Sequence, residues 1–132
     1  MRDHSAVESM MKTCVLVVES DSRQQKSMVE ILKAFDYSAV GTPTVAHALS
    51  ALHGVVFDAV VIAVKPSHVG EIFEAAEAKK IQPSLKLIAV STEPPPATLP
   101  IELDEYIHDP FLLIAVGDAL SRLFPATRGL RQ

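Results

Sequence analysis

Ala59-Val60-Val61-Ile62-Ala63-Val64 is an unbroken apolar run with no polar residue alternating through it. A strand with one face in water alternates, whereas a strand apolar on both sides is buried on both, and such strands belong to parallel sheets. The remaining segments supply what such a sheet needs. Cys14 to Val18 is a second run rich in β-branched residues, ending abruptly at Glu19-Ser20-Asp21-Ser22. This predicts a buried strand followed by a helix N-terminus, with Ser20, Asp21 or Ser22 as the cap. Met28, Ile31, Leu32 and Phe35 then fall at helical spacing among Arg23, Lys26, Glu30 and Lys33, an amphipathic pattern. Ser38 to Val40 reads as a brief strand closed by Gly41-Thr42-Pro43. Pro43 or Thr44 starts a helix carrying Val45, Ala48, Leu49 and Leu52, stopped by Gly54.

The third strand is expected over Phe57 to Val64. After Lys65-Pro66-Ser67 a helix is expected to turn Val69, Ile72, Phe73 and Ala76 to one side. Leu85 to Val90 and Tyr106 to His108 read as the fourth and fifth strands, and Pro110 to Phe124 as the last helix, with Leu112, Leu113, Val116, Leu120 and Leu123 apolar. Between those strands, Glu93 to Pro100 contains four prolines and cannot be a regular helix interior. Strand and helix thus alternate with short connections. Right-handed crossovers make this an α/β, doubly wound parallel sheet. In such folds the site lies outside the carboxyl ends of the strands. Those ends are Glu19-Ser20-Asp21, Ala63-Val64-Lys65-Pro66, Ser91-Thr92-Glu93 and His108-Asp109-Pro110.

The 132 residues suit one domain, taken as residues 12–124 between a loosely ordered N-terminal tail (1–11) and a C-terminal tail (125–132). A formal charge of −4 argues against a nucleic-acid surface. The single cysteine, Cys14, excludes an intramolecular disulfide and reads as a small buried hydrophobe. Residues 1–10 are too polar for a secretory signal, and no apolar run approaches the ~20 residues needed to span a bilayer, so a cytoplasmic protein is expected. The five histidines are scattered over different elements without metal-ligand spacing. His108, next to the pocket, is a candidate pH sensor or an ordinary exposed histidine.

From Lys12 to Phe124 the chain resembles the receiver domain of two-component response regulators. Val15-Leu16-Val17-Val18-Glu19 is similar to that family's first strand running into acidic residues. Phe57-Asp58-Ala59-Val60-Val61-Ile62 is similar to the third strand leading to the phosphate-accepting aspartate. Leu87-Ile88-Ala89-Val90-Ser91 is similar to the fourth strand and its terminal hydroxyl residue, and Asp104-Glu105-Tyr106-Ile107-His108-Asp109-Pro110-Phe111 to the stretch ending in Lys-Pro-Phe. The resemblance implies a flavodoxin-like (CheY-like) sheet of five parallel strands in the order 2-1-3-4-5, here with a degenerate, Pro-rich fourth helix region. It also implies a bacterial signalling protein.

The family's chemistry needs an acidic pair and an acceptor carboxylate around Mg²⁺, a hydroxyl, and a lysine that stabilise the transferred phosphoryl group. The matching positions here are Glu19 and Ser20 for the acidic pair, Ala63 for the acceptor, Ser91 for the hydroxyl and Asp109 for the lysine. One carboxylate is kept. The nucleophile is a methyl, and the cation has become an anion. Shifting the register by one brings Ile62 or Val64 to the acceptor position, which does not help. The resemblance therefore implies a degenerate, or pseudo-, receiver that takes no phosphoryl group, uses no cofactor or metal, is not an enzyme and acts by protein association.

Two further residues border the vestigial pocket. Lys65 is a candidate lock, filling the vacated space and pairing with Glu19 or Asp109; the plainer reading is a solvated loop lysine. Tyr106 sits where receivers place an aromatic that couples to the hydroxyl residue, and output coupling through Ser91 and Tyr106 stands beside a half-buried strand tyrosine. The Pro-rich segment is either an extended recognition surface or a linker. Expected partners are a protein, such as a histidine kinase or another signalling protein, with the chain a monomer or weak homodimer and no nucleic acid or membrane involved. The competing functions are a receiver phosphorylated on a displaced carboxylate, Asp58 or Asp21, and a small-ligand binder at the strand ends, where Ser20, Asp21 and Ser22 precede a helix.

Overall fold

The computed structural model describes residues 12–65, 70–108 and 112–124. In chain order the elements are β1 (Cys14–Val18), α1 (Ser22–Ala34), β2 (Ser38–Thr42), α2 (Val45–Leu52), β3 (Ala59–Ala63), α3 (Gly70–Ala75), α4 (Ala78–Ile81), β4 (Lys86–Ser91), β5 (Glu105–His108) and α5 (Leu112–Leu123). The strands form one five-stranded sheet in the order β2-β1-β3-β4-β5, every neighbouring pair parallel. The doubly wound architecture expected from the run at 59–64 is the one observed.

Side chains alternate along each strand, so the sheet feeds two cores. Val15, Val17, Val61, Ile88 and Val90 pack with Met28 and Leu32 of α1 and Val116, Ala119 and Leu120 of α5. Leu16, Val18, Val60, Ile62, Leu87 and Ala89 pack with Val45, Ala48 and Leu52 of α2 and Ile72 of α3. Helices on both faces are what make a strand such as β3 apolar throughout.

Several boundaries differ from the sequence pattern. β2 runs on to Thr42, because Gly41 and Thr42 pair with Val17 and Val18. β3 begins at Ala59, since the Phe57 N–H donates to the Gln82 side chain instead of to a neighbouring strand. β4 spans Lys86–Ser91, its last residue opposite His108. The helical segment after β3 is broken into α3 and α4, and Phe73 is 46% exposed; the buried face is Ile72, Ala75 and Ala76. Phe35 is the C-cap of α1 and 40% exposed, lying over Gly117 of α5. Residues 92–104 cross from β4 to β5 without a helix. Val69, Pro110, Phe111 and both expected tails lie outside the described residues.

Candidate functional site

The parallel sheet delivers the carboxyl ends of β1, β3 and β4 to one rim. After β1, the Glu19 N–H donates to the Thr42 carbonyl at 3.0 Å, which keeps Glu19 in register with the sheet edge. The residue is 6% exposed, and its Oε2 accepts the Asp21 N–H at 2.8 Å. Ser20 points to solvent. Asp21 is the N-cap of α1, its Oδ1 accepting the N–H groups of Arg23 and Gln24 at 3.0 and 3.1 Å. That satisfies donors every helix leaves unpaired in its first turn. Gln25 donates to the Glu19 carbonyl at 2.9 Å and lies so close over Gly41 that a Cβ there would collide with it.

Ala63 closes β3, half-buried, with Val64 buried behind it and Lys65 exposed. Ser91 closes β4 and is 4% exposed. Its Oγ accepts the Glu93 N–H at 3.0 Å, while the Tyr106 hydroxyl donates to the Glu93 carbonyl at 2.9 Å. Ser91 and Tyr106 thus hold the same residue's main chain from its two ends.

The structure brings most of the sequence-predicted residues together. Glu19, Ala63, Lys65 and Ser91 line one open cleft of about 510 Å³. Ser20 joins Glu19, Ala63 and Lys65 around an adjacent cavity of about 170 Å³, to which Glu71 of α3 also contributes. Lys65, Ser91 and Tyr106 meet Pro94 and Pro96 around a third, of about 240 Å³. Asp109 lies outside the described residues. Lys65 forms no ion pair with Glu19, whose carboxylate instead takes the Asp21 N–H. Asp58 lies at the opposite rim, where its Oδ2 accepts the Cys14 N–H at 2.8 Å at the start of β1. Among the described residues no three His, Cys, Asp or Glu side chains are grouped to hold a metal ion.

Sequence reasoning missed the contribution of α1. Arg23, Ser27 and Met28 line the large cleft, as does Thr92 beyond Ser91. The available signal was the tight connection from β1 into α1, which sets the helix's first two turns over the strand ends. Cys14, at the far rim, is the one described group with a resolved shift. Burial pushes its thiol above the ordinary value, the Asp58 carboxylate adds to this, and a hydrogen bond with Ser38 opposes it.

The sheet order, the helices on both faces and the strand-end cleft define the receiver fold of response regulators. No family model matches the sequence, and no curated protein matches it. Among solved structures, the chain is similar to a CheY-like response regulator receiver domain protein from Methanospirillum hungatei JF-1 (TM-score 0.72, 16% identity, covering 89% of this chain and 98% of that one). It is also similar to a chain in the complex of histidine kinase ThkA with response regulator protein TrrA (TM-score 0.71, 17% identity, 85% and 98% covered). A putative pilus assembly protein, cpaE, from Burkholderia thailandensis E264 shares the fold as well (TM-score 0.70, 20% identity, 83% and 96% covered). The likeness is one of fold. No described helix is long and apolar enough to cross a membrane.

Proposed function

We propose that this chain is a receiver-fold signalling module whose strand-end pocket takes no phosphoryl group, and which acts by associating with a protein partner in the cytoplasm. The observation that carries this reading is Ala63 at the end of β3, in the cleft with Glu19, Lys65 and Ser91. A methyl can neither attack phosphorus nor ligate Mg²⁺, and phosphoryl transfer needs both a nucleophile and neutralisation of charge. The nearby carboxylates support the same reading. Asp21 caps α1, Glu19 accepts a main-chain N–H, and Asp58 is tied to Cys14 at the wrong rim. Asp109, at the position that matches the family's lysine, carries the opposite charge.

A histidine kinase or another signalling protein is the class of partner this fold suggests, with the chain a monomer or weak homodimer, no catalytic activity and no nucleic acid. The test is intact mass after incubation with phosphoramidate and Mg²⁺. No phosphoryl mass is expected on the wild type. None is expected on Ala63→Asp either, because Asp109 still presents the wrong sign. A phosphoryl adduct on the wild type, at Glu71, Asp58 or elsewhere, overturns the reading. An adduct on Ala63→Asp alone overturns the account of Asp109.

A further inference from the structure

We propose that the crossover from β4 to β5 is a docking ligand, its Pro94-Pro95-Pro96 run and Ile101 seating in an aromatic-lined groove of the protein partner; this rests on the reading that the chain acts by protein association. Proline fixes its own φ at about −65° and pushes the residue before it out of the helical region into extended backbone. Glu93, Pro94 and Pro95 each precede a proline. Pro94 and Pro95 are therefore constrained in both backbone angles, which makes the run a short polyproline II segment.

Both ends of this run are held. At its start the Glu93 N–H donates to Ser91 Oγ at 3.0 Å, and the Tyr106 hydroxyl donates to the carbonyls of Glu93 and Pro94 at 2.9 and 3.4 Å. At its end Leu99 packs against the core with Leu103, and Pro100 is buried. Between these anchors Pro94, Pro95, Ala97 and Thr98 are exposed. A segment held this way has already lost the conformational freedom that docking would otherwise have to remove. Just beyond it the Leu103 N–H donates to the Pro100 carbonyl at 3.1 Å, a turn with Ile101 and Glu102 at its centre. Turn centres usually carry Gly, Pro, Asn, Asp or Ser. Here one carries an isoleucine that is 95% exposed, an apolar side chain left in water next to the proline run.

The chemistry of the run selects the partner. Pro94, Pro95 and Pro96 have no N–H, so the run can neither pair as a strand at a sheet edge nor continue a helix. It offers ring faces and carbonyl oxygens. A groove of Trp and Tyr meets both, because the aromatic faces cover the rings while an indole N–H or a phenolic hydroxyl donates to the carbonyls. Ile101 adds an apolar anchor that a purely polar surface would leave in water.

Two experiments on the full chain test this. In the first, ¹³C-labelled protein is titrated with indole, and with cyclohexanol as a saturated probe. Indole is expected to move the ring protons of Pro94 and Pro95 and the methyls of Ile101 upfield, more than those of Pro43 and Pro83, which are exposed outside the run. Equal shifts at all four prolines, or equal effects of cyclohexanol, overturn the proposal. In the second, the photo-crosslinker p-benzoylphenylalanine is placed at Ala97 and, as controls, at the exposed Ala46 and Ser84, then activated in the cell that makes the protein. A partner adduct is expected from position 97, mapping beside Trp or Tyr of that partner. It should fall roughly fivefold or more with Pro94→Gln and Pro95→Gln together, and with Ile101→Ser alone, while spectra of both variants stay dispersed. An adduct insensitive to these changes, or adducts from positions 46 or 84 alone, overturn the proposal and leave the association reading standing. No adduct from any position removes both.

Discussion

Asp21 shows how one residue's local duty limits what the pocket can do. Its carboxylate accepts two first-turn N–H groups of α1, its own N–H donates to Glu19, and its carbonyl accepts the Gln25 N–H at 2.9 Å. On the proposed reading of the pocket, a side chain so committed is a poor substitute for a second metal-binding carboxylate. Removing an N-cap of this kind costs about 1 kcal/mol. Asp21→Ala is therefore expected to lower the unfolding free energy measured in urea by that amount, and Asp21→Ser to recover most of it. Ala63 and Ser91 lie beyond such single-residue accounting. Their identities were readable in the sequence, but their sharing of one cleft depends on β3 and β4 pairing with Ala63 opposite Val90.

At the scale of elements, the connections rather than the strands carried most of what the sequence hid. Gln82, just after α4, donates to the carbonyls of Leu52 and Val55 at 2.8 and 2.7 Å and accepts the Phe57 N–H at 3.0 Å. One amide thereby fastens the whole turn between α2 and β3. No periodic pattern marks a glutamine 25 residues downstream of the N–H it serves. Gln82→Ala leaves one donor and two acceptors without their partner, and several such bonds at about 1 kcal/mol each predict a loss of roughly 2–3 kcal/mol in urea unfolding. A fall below 0.5 kcal/mol would mean water replaces the amide at no cost. The amphipathic helices, by contrast, were legible. Met28 and Leu32 in α1, and Val45, Ala48 and Leu52 in α2, face the cores their spacing implied. The pattern after β3 is less legible: its spacing sets Phe73 on one side with Ile72 and Ala76, whereas Ala75 is buried with those two and Phe73 is exposed.

For the molecule as a whole, the two rims of the sheet divide the work. The amino rim is held by carboxylates that take strand N–H groups. Asp58 accepts from Cys14, and Asp104 accepts from Leu87 at 2.7 Å while pairing with Lys79 at 2.7 Å. Cys14 lies within this rim, and burial with the nearby Asp58 charge raises its thiol pKa. The unfolded chain then loses the thiol proton first, from about pH 8.5, while the folded chain keeps it. The folded state binds more protons in that window, so this contribution to stability is complete below pH 8.5 and declines as pH rises toward the folded value. Urea midpoints at pH 7 and pH 9.5 should fall more for wild type than for Cys14→Ser, and equal falls would remove the thiol from the account.

The carboxyl rim is left to the cleft, and here the contribution of sequence and of tertiary structure separates cleanly. The unbroken apolar run at 59–64 pointed to a strand covered on both faces, and with the alternation of elements it gave a parallel sheet with helices on both sides, because those helices are what bury both sides of such a strand. The alanine at position 63 was equally plain. What only the tertiary structure decided was the company it keeps: Arg23 and Met28 brought over it by α1, Glu19 turned to Asp21 instead of Lys65, and Ser91 and Tyr106 joined through Glu93. Those relations depend on how far each helix reaches across the sheet and where each side chain finds its hydrogen-bond partner, and both are set by packing between segments distant along the chain.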